Sequence, residues 1–169
     1  MKYLIVVDMQ VDFISGSLGS THASAIVPNM VNKVNGFDGQ VIFTRDTHGA
    51  DYLNTQEGRK LPVVHCVKDT AGWQICDELQ PYVKHVVDKI TFGSVDLPEY
   101  IRSFGEEIDE IELCGLCTDI CVISNAMLLK AAFPEIPITV DGTCCAGVTL
   151  DSHATALDAM KAVQINIKQ

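Results

Sequence analysis

The run Tyr3-Leu-Ile-Val-Val7, closed by Asp8, decides how the rest of the chain is read. Its five apolar residues leave neither face polar, the pattern of a strand buried on both sides within a parallel sheet. Comparable runs follow at Val41–Thr44, His85–Val87, Glu110–Cys114 and Ile136–Val140. Between them Ala23–Val34, Ile75–Tyr82, Asp96–Phe104, Asp119–Ala132 and Ser152–Val163 carry helical spacing. Parallel pairing requires long crossovers, which are usually helices. The expectation is an α/β fold, a doubly wound parallel sheet with helices on both faces, with Val163–Ile167 as a last edge strand. No repeat, linker or internal boundary interrupts the pattern, so residues 1–169 read as one domain, a length suited to one core. The one long irregular stretch is expected at Asp46–Leu61, and a loop of that length usually carries function.

The chain is 47% hydrophobic and 20% charged, which excludes a disordered or low-complexity protein. Twelve basic against twenty-two acidic side chains leave a formal charge of −10, which repels phosphate backbones. Nucleic-acid and anionic-membrane partners are therefore not expected. The start MKYLIVVDMQ lacks the long apolar stretch and cleavage site of a secretory signal, and no run approaches the ~18 apolar residues of a membrane span. The seven cysteines are odd in number, so reduced thiols in a cytoplasm are expected rather than a disulfide framework. Cys66, Cys76, Cys114, Cys144 and Cys145 receive no role from this reading.

In open parallel sheets, ligands bind outside the carboxyl ends of the strands. Asp8 follows the first run, Asp46 and His48 the second, Lys89 closes the third, and Cys114–Cys121 follows the fourth. Carboxylates, an imidazole, an ammonium and a thiol thus meet at one rim. The stretch Cys114-Gly-Leu-Cys-Thr-Asp-Ile-Cys121 runs from strand to helix, with Thr118 expected as N-cap. Cys121 then falls in the first helical turn, where the dipole lowers a thiol pKa. Read alone, Cys121 is more often a small buried hydrophobe, and Asp8 with Lys89 a structural ion pair. Together they supply a base, a cation and a nucleophile.

Three separated motifs then match in order. Val7-Asp-Met-Gln-Val-Asp-Phe13, Lys89-Ile-Thr-Phe-Gly-Ser94 and Gly115-Leu-Cys-Thr-Asp-Ile-Cys-Val122 resemble those of the isochorismatase-like cysteine hydrolases, and among them the nicotinamidases. The resemblance implies the family's three-layer fold and a catalytic triad of Asp8, Lys89 and Cys121. It also implies a cis peptide at Leu116–Cys117 and an oxyanion hole from the backbone N–H groups of Cys117 and Cys121. Asp46-Thr-His48 followed by His65 resembles the nicotinamidase metal site, with Glu57 as a further ligand. That donor set suits a divalent ion, zinc first, with iron or manganese as alternatives. His65 lies in an apolar Pro-Val-Val-His-Cys run, where a buried, hydrogen-bonded histidine is the alternative to a metal ligand. Phe13 and Phe92 resemble the aromatic walls that hold a flat substrate, with Leu18 beside them.

The activity implied is hydrolysis of nicotinamide to nicotinate and ammonia, a non-peptide C–N cleavage in NAD salvage. An N-carbamoyl amidase, which keeps the triad and dispenses with the metal, is the alternative. The tryptophan that some nicotinamidases carry before the third ligand is replaced here by Leu61-Pro-Val-Val. Cys114 and Cys117 also form a C-x-x-C, whose redox or zinc reading is a remote third possibility. Trp73, His22, His85 and His153 read as structural or surface residues. The partner expected is a small amide, and family members often assemble through their helices, which leaves room for a homo-oligomer.

Overall fold

A computed structural model describes residues 1–169. Six strands, β1 (Lys2–Val7), β2 (Gln40–Asp46), β3 (His85–Lys89), β4 (Glu110–Leu116), β5 (Ile138–Ala146) and β6 (Asn166–Lys168), form one sheet. All five pairings are parallel, in the order β3-β2-β1-β4-β5-β6. Seven helices connect or flank them: α1 (Val11–Ile14), α2 (Thr21–Ala25), α3 (Val27–Asn35), α4 (Gln56–Lys60), α5 (Leu97–Arg102), α6 (Ile123–Ala132) and α7 (Leu150–Ala162). Tyr3 to Val7 are all fully buried, odd and even positions alike, because helices cover both faces of the sheet. Each such apolar side chain contributes about 1.5–3 kcal/mol relative to exposure. The strand order reverses between β1 and β4, and the crevice at their carboxyl ends is where such sheets bind ligands. No helix is long and apolar enough to cross a membrane.

Local chemistry explains where the elements depart from their sequence reading. The helix expected over Ala23–Val34 is two: α2 begins earlier, at Thr21, because the Ser20 hydroxyl accepts the Ala23 N–H at 3.0 Å. It stops at Ile26, and α3 restarts with Pro28 in its first turn, where the missing N–H costs nothing. Ile75–Tyr82 is not an α-helix. Ile75 bridges to Gln10 and the Cys76 N–H donates to the Met9 carbonyl at 2.9 Å, so tertiary pairing takes the backbone groups that a helix needs. Only a tight turn at Gln80–Tyr82 remains helical. The stretch Asp46–Leu61 is partly ordered into α4, capped by the Thr55 hydroxyl on the Gly58 N–H. β5 starts at Ile138 rather than Ile136, just beyond Pro137, and runs on through the cysteine pair. The edge strand β6 forms as expected, in the shorter range Asn166–Lys168.

Gly115 sets the geometry at the switch point. It adopts φ +123°, and a Cβ there would lie 2.1 Å from the Val7 carbonyl oxygen. Only glycine lets β4 approach the end of β1 so closely. The β4–β5 register shifts between Leu113 and Gly115, and the next peptide, Leu116–Cys117, is cis. Cys117, the residue after β4, lines the cavity at this crevice.

Candidate active site

Asp8 follows β1 directly, with φ +48°, a left-handed conformation that aspartate tolerates better than most residues. Its carboxylate is wholly buried: Oδ2 lies 2.6 Å from Lys89 Nζ, and Oδ1 accepts the Thr44 hydroxyl at 2.7 Å. Lys89 ends β3, and its ammonium also reaches Asp46 Oδ1 at 3.2 Å, the Thr91 carbonyl at 3.0 Å and Cys121 Sγ at 3.6 Å. Residues of three strand ends and one helix therefore converge on a single cation. A buried ammonium is tolerable only when paired in this way.

Burial pushes the Lys89 pKa down, but Asp8, Cys121 and Asp46 outweigh it and hold the lysine charged. Burial pushes Asp8 above the usual carboxylate range, against the pull of Lys89. Cys121 is raised too, by burial first and then by the Asp8 charge, with Lys89 opposing. This corrects the expectation of a thiol lowered by a helix start. Thr118 is not the N-cap; Cys117 holds that position without a side-chain bond, and the Thr118 hydroxyl instead pairs with His153 Nδ1 at 2.7 Å. Residues Thr118–Val122 form a wide π turn that precedes α6, and Cys121 lies within it. The resting thiol is protonated, next to a carboxyl group able to take its proton.

Beside Asp8, Lys89 and Cys121, the residues Asp46, His48, Glu57 and His65 each offer one donor atom, all within 4.8 Å of one another. His48 Nε2 lies 2.8 Å from Asp46 Oδ2, and His65 Nε2 lies 3.6 Å from the same oxygen. Glu57 Oε1 stands 3.5 Å and 3.9 Å from the two imidazoles and has no hydrogen-bond partner, although buried. The Val63 carbonyl, 2.7 Å from His65 Nδ1, fixes that nitrogen as the donor and leaves Nε2 as a lone pair facing the cluster. An unpartnered buried carboxylate oxygen among two imidazoles and a second carboxylate fits a divalent cation such as zinc. Burial pushes Asp46 up, but bonds to His48 and His65 and the Lys89 charge hold it well below the usual range.

Asp46, Glu57, His65, Cys117 and Cys121 line one cavity of about 490 Å³. Phe13, Leu18 and Phe92 also line it, with Leu61, Ile120 and Val148 completing an apolar wall. The Phe13 ring lies tilted against the His65 ring, with centroids 5.5 Å apart. A larger groove of about 780 Å³, along α1 and α3, is lined by none of these residues and lacks a converging cluster. The remaining histidines and the tryptophan are structural or exposed: the Arg45 guanidinium lies 3.5 Å over the Trp73 ring, and His85 packs against Tyr100 and Phe104.

The C-x-x-C pair is divided. Cys114 is fully buried with Sγ 3.3 Å from Met30 Sδ, whereas Cys117 lines the cavity, its thiol pushed up by burial to about 12. All seven cysteines are free. Two residues at the site were not singled out from sequence. Thr44 fixes the Asp8 carboxylate. Asn125, buried, donates to the carbonyls of Cys121 at 2.8 Å and Phe92 at 3.1 Å, tying the segment of Phe92 to the turn that carries Cys121. Asn125 reads as an ordinary helix residue, and only the folded chain brings residue 92 to it.

The yeast Saccharomyces cerevisiae nicotinamidase is 28% identical over 75% of this chain and 80% of its own length. The fold matches the pyrazinamidase of Pyrococcus horikoshii, solved in complex with zinc, with a TM-score of 0.83 at 24% identity over 99% of this chain and 98% of that one. N-carbamoylsarcosine amidase from Thermoplasma acidophilum superimposes with a TM-score of 0.83 at 25% identity, over 99% and 95% of the two chains. Residues 2–169 match the Isochorismatase domain family, and the chain belongs to it.

Proposed function

We propose that this chain is a metal-assisted cysteine amidohydrolase that cleaves nicotinamide to nicotinate and ammonia. The observation that carries the reading is the junction of two clusters at one cavity: Asp8 and Cys121 share the Lys89 ammonium, while Asp46 joins it to His48, His65 and Glu57. A divalent ion held by those four residues would bind the ring nitrogen of a pyridine carboxamide and fix its orientation. Phe13 and Phe92 would hold the ring between them, and Leu18 would close the wall.

With the amide carbonyl above Cys121, Asp8 takes the thiol proton and Lys89 stabilises the charge left on sulfur. The thiolate adds to the carbonyl carbon. The backbone N–H groups of Cys117 and Cys121 receive the oxyanion as it develops. Asp8 returns its proton to the departing nitrogen, ammonia leaves, and a thioester remains on Cys121. Asp8, basic again, draws a proton from water, which attacks the thioester; the C–S bond breaks, the acid is freed, and Asp8 returns the proton to the Cys121 sulfur. The raised pKa of Asp8 supports both halves of this cycle, because burial makes the carboxylate a stronger base toward the thiol than an exposed one.

The N-carbamoyl amidase reading shares the triad but gives no work to Asp46, His48, Glu57 and His65 as a donor set. The deciding experiment measures the metal content of the purified protein and its ammonia release from a panel of amides, before and after chelation. The proposal expects stoichiometric metal, nicotinamide among the best substrates and loss of turnover on chelation. A metal-free protein with full activity after chelator treatment would replace it with the carbamoyl-amidase reading.

A further inference from the structure

Gln10 is fully buried, and no step above uses it. Its carboxamide is committed to three backbone groups. Oε1 accepts the Asp46 N–H at 2.7 Å, and Nε2 donates to the carbonyls of Asp46 at 2.9 Å and Trp73 at 2.8 Å. Strand lengths explain why. β1 ends at Val7, whereas β2 continues to Asp46, and their last register pair is Val6 with Phe43. The N–H and C=O of Asp46 therefore face a place where the neighbouring strand has already turned away. The Gln10 side chain supplies the donor and acceptor of the missing peptide, so neither buried backbone group is left unpaired.

Asp46 is the carboxylate that touches both halves of the site, with Oδ1 on Lys89 and Oδ2 on His48 and His65. As the last residue of β2 it sits where a strand would ordinarily fray. Two further contacts of the Trp73 segment hold its neighbours: Arg45 stacks on the indole, and Trp73 Nε1 donates to the Thr47 hydroxyl at 2.8 Å. Residues 45, 46 and 47 are thus each held by the unit that Gln10 and Trp73 form.

We propose that Gln10 is a positioning residue: its carboxamide clamps the Asp46 peptide so that one carboxylate serves both the catalytic lysine and the metal-binding histidines. The inference rests on the metal-site reading above, and its test is read on the metal centre rather than on nicotinamide turnover. Gln10→Met keeps the length and bulk and removes all three bonds; Gln10→Glu keeps an acceptor for the Asp46 N–H and loses both donors. Zinc affinity is measured by competition with a chromophoric chelator, and ligand geometry by the visible spectrum of the cobalt-substituted protein, at temperatures where each variant is folded. Gln10→Met is expected to weaken zinc binding by ~10–100-fold, as loss of a ligand's supporting bonds does, and to alter the cobalt spectrum. Gln10→Glu should fall between it and the wild type. A glutamine with only a structural role would lower the melting temperature and leave zinc affinity and cobalt spectrum unchanged, which would overturn the proposal. Should Gln10→Met not fold, Gln10→Glu decides on the same two readouts. A wild-type protein that binds zinc yet releases no ammonia from nicotinamide would refute the proposed substrate and leave this inference standing.

Discussion

Replacing Lys89 by methionine separates what the lysine does for the fold from what it does for the thiol. The ammonium lies 2.6 Å from Asp8 and 3.2 Å from Asp46, and all three side chains are at most 2% exposed. Removing the cation leaves two buried carboxyl groups of like charge without their shared partner. Breaking a buried pair in this way costs about 3–5 kcal/mol. Domains of this size are stable by only about 5–15 kcal/mol, so the loss is a large fraction of the whole. Lost turnover in Lys89→Met would therefore say little by itself. The informative protein is the double variant Lys89→Met with Asp8→Asn. It removes one of the stranded charges, and asparagine tolerates the positive φ at position 8. Urea unfolding should show the single variant destabilised within that range and the double variant recovering a substantial part of the loss. Ammonia release should be absent from both. A single variant as stable as the wild type, or a double variant no more stable than the single, would refute the view that Lys89 compensates Asp8 inside the site.

Cys121→Ala should fold normally and abolish ammonia release, while Cys117→Ala should retain it, since only the backbone N–H of residue 117 is used; equal losses would reassign the nucleophile. His48→Ala and His65→Ala should lower zinc content yet leave alkylation of Cys121 by iodoacetamide close to the wild-type rate, because neither touches Lys89. Asp46→Ala should disturb both readouts, because its carboxylate contacts Lys89 at 3.2 Å. Away from the site, burial pushes the Asp141 carboxyl up, but the Lys33 ion pair and Thr143 bonds outweigh it and hold it below its ordinary value. A depressed pKa contributes stability that is present above the unfolded value near 3.9 and lost as pH falls through the folded one. Asp141→Asn should accordingly flatten the stability profile below about pH 4; an unchanged acid limb in denaturant titrations would count against that pairing.

The strands and the rim were legible because their signals are local. Five consecutive apolar residues ended by Asp8 specify both a doubly buried strand and its exit, and the same logic placed Lys89 at the end of β3. The helices were less legible where tertiary contacts compete with periodicity. Ile75–Tyr82 has helical spacing, but its first residues pair with the backbone after Val7. The ionisation of Cys121 was misread for a related reason. A helix start lowers a thiol pKa when the surroundings are polar, whereas complete burial beside Asp8 reverses the sign. The donor set at Asp46, His48, Glu57 and His65 came from resemblance, since residues 57 and 65 carry no spacing signal of their own. The link from Asp46 to Lys89 was invisible, because it depends on β2 and β3 ending side by side.

The central claim is a thioester on Cys121 formed from nicotinamide. Intact-protein mass spectrometry of the enzyme, acid-quenched during turnover of nicotinamide, tests it most directly, with the adduct mapped by digestion. A nicotinoyl mass is expected on the peptide carrying Cys121, absent from Cys121→Ala. Ammonia release by Cys121→Ala at the wild-type rate, or an adduct mapped to Cys117, would contradict it.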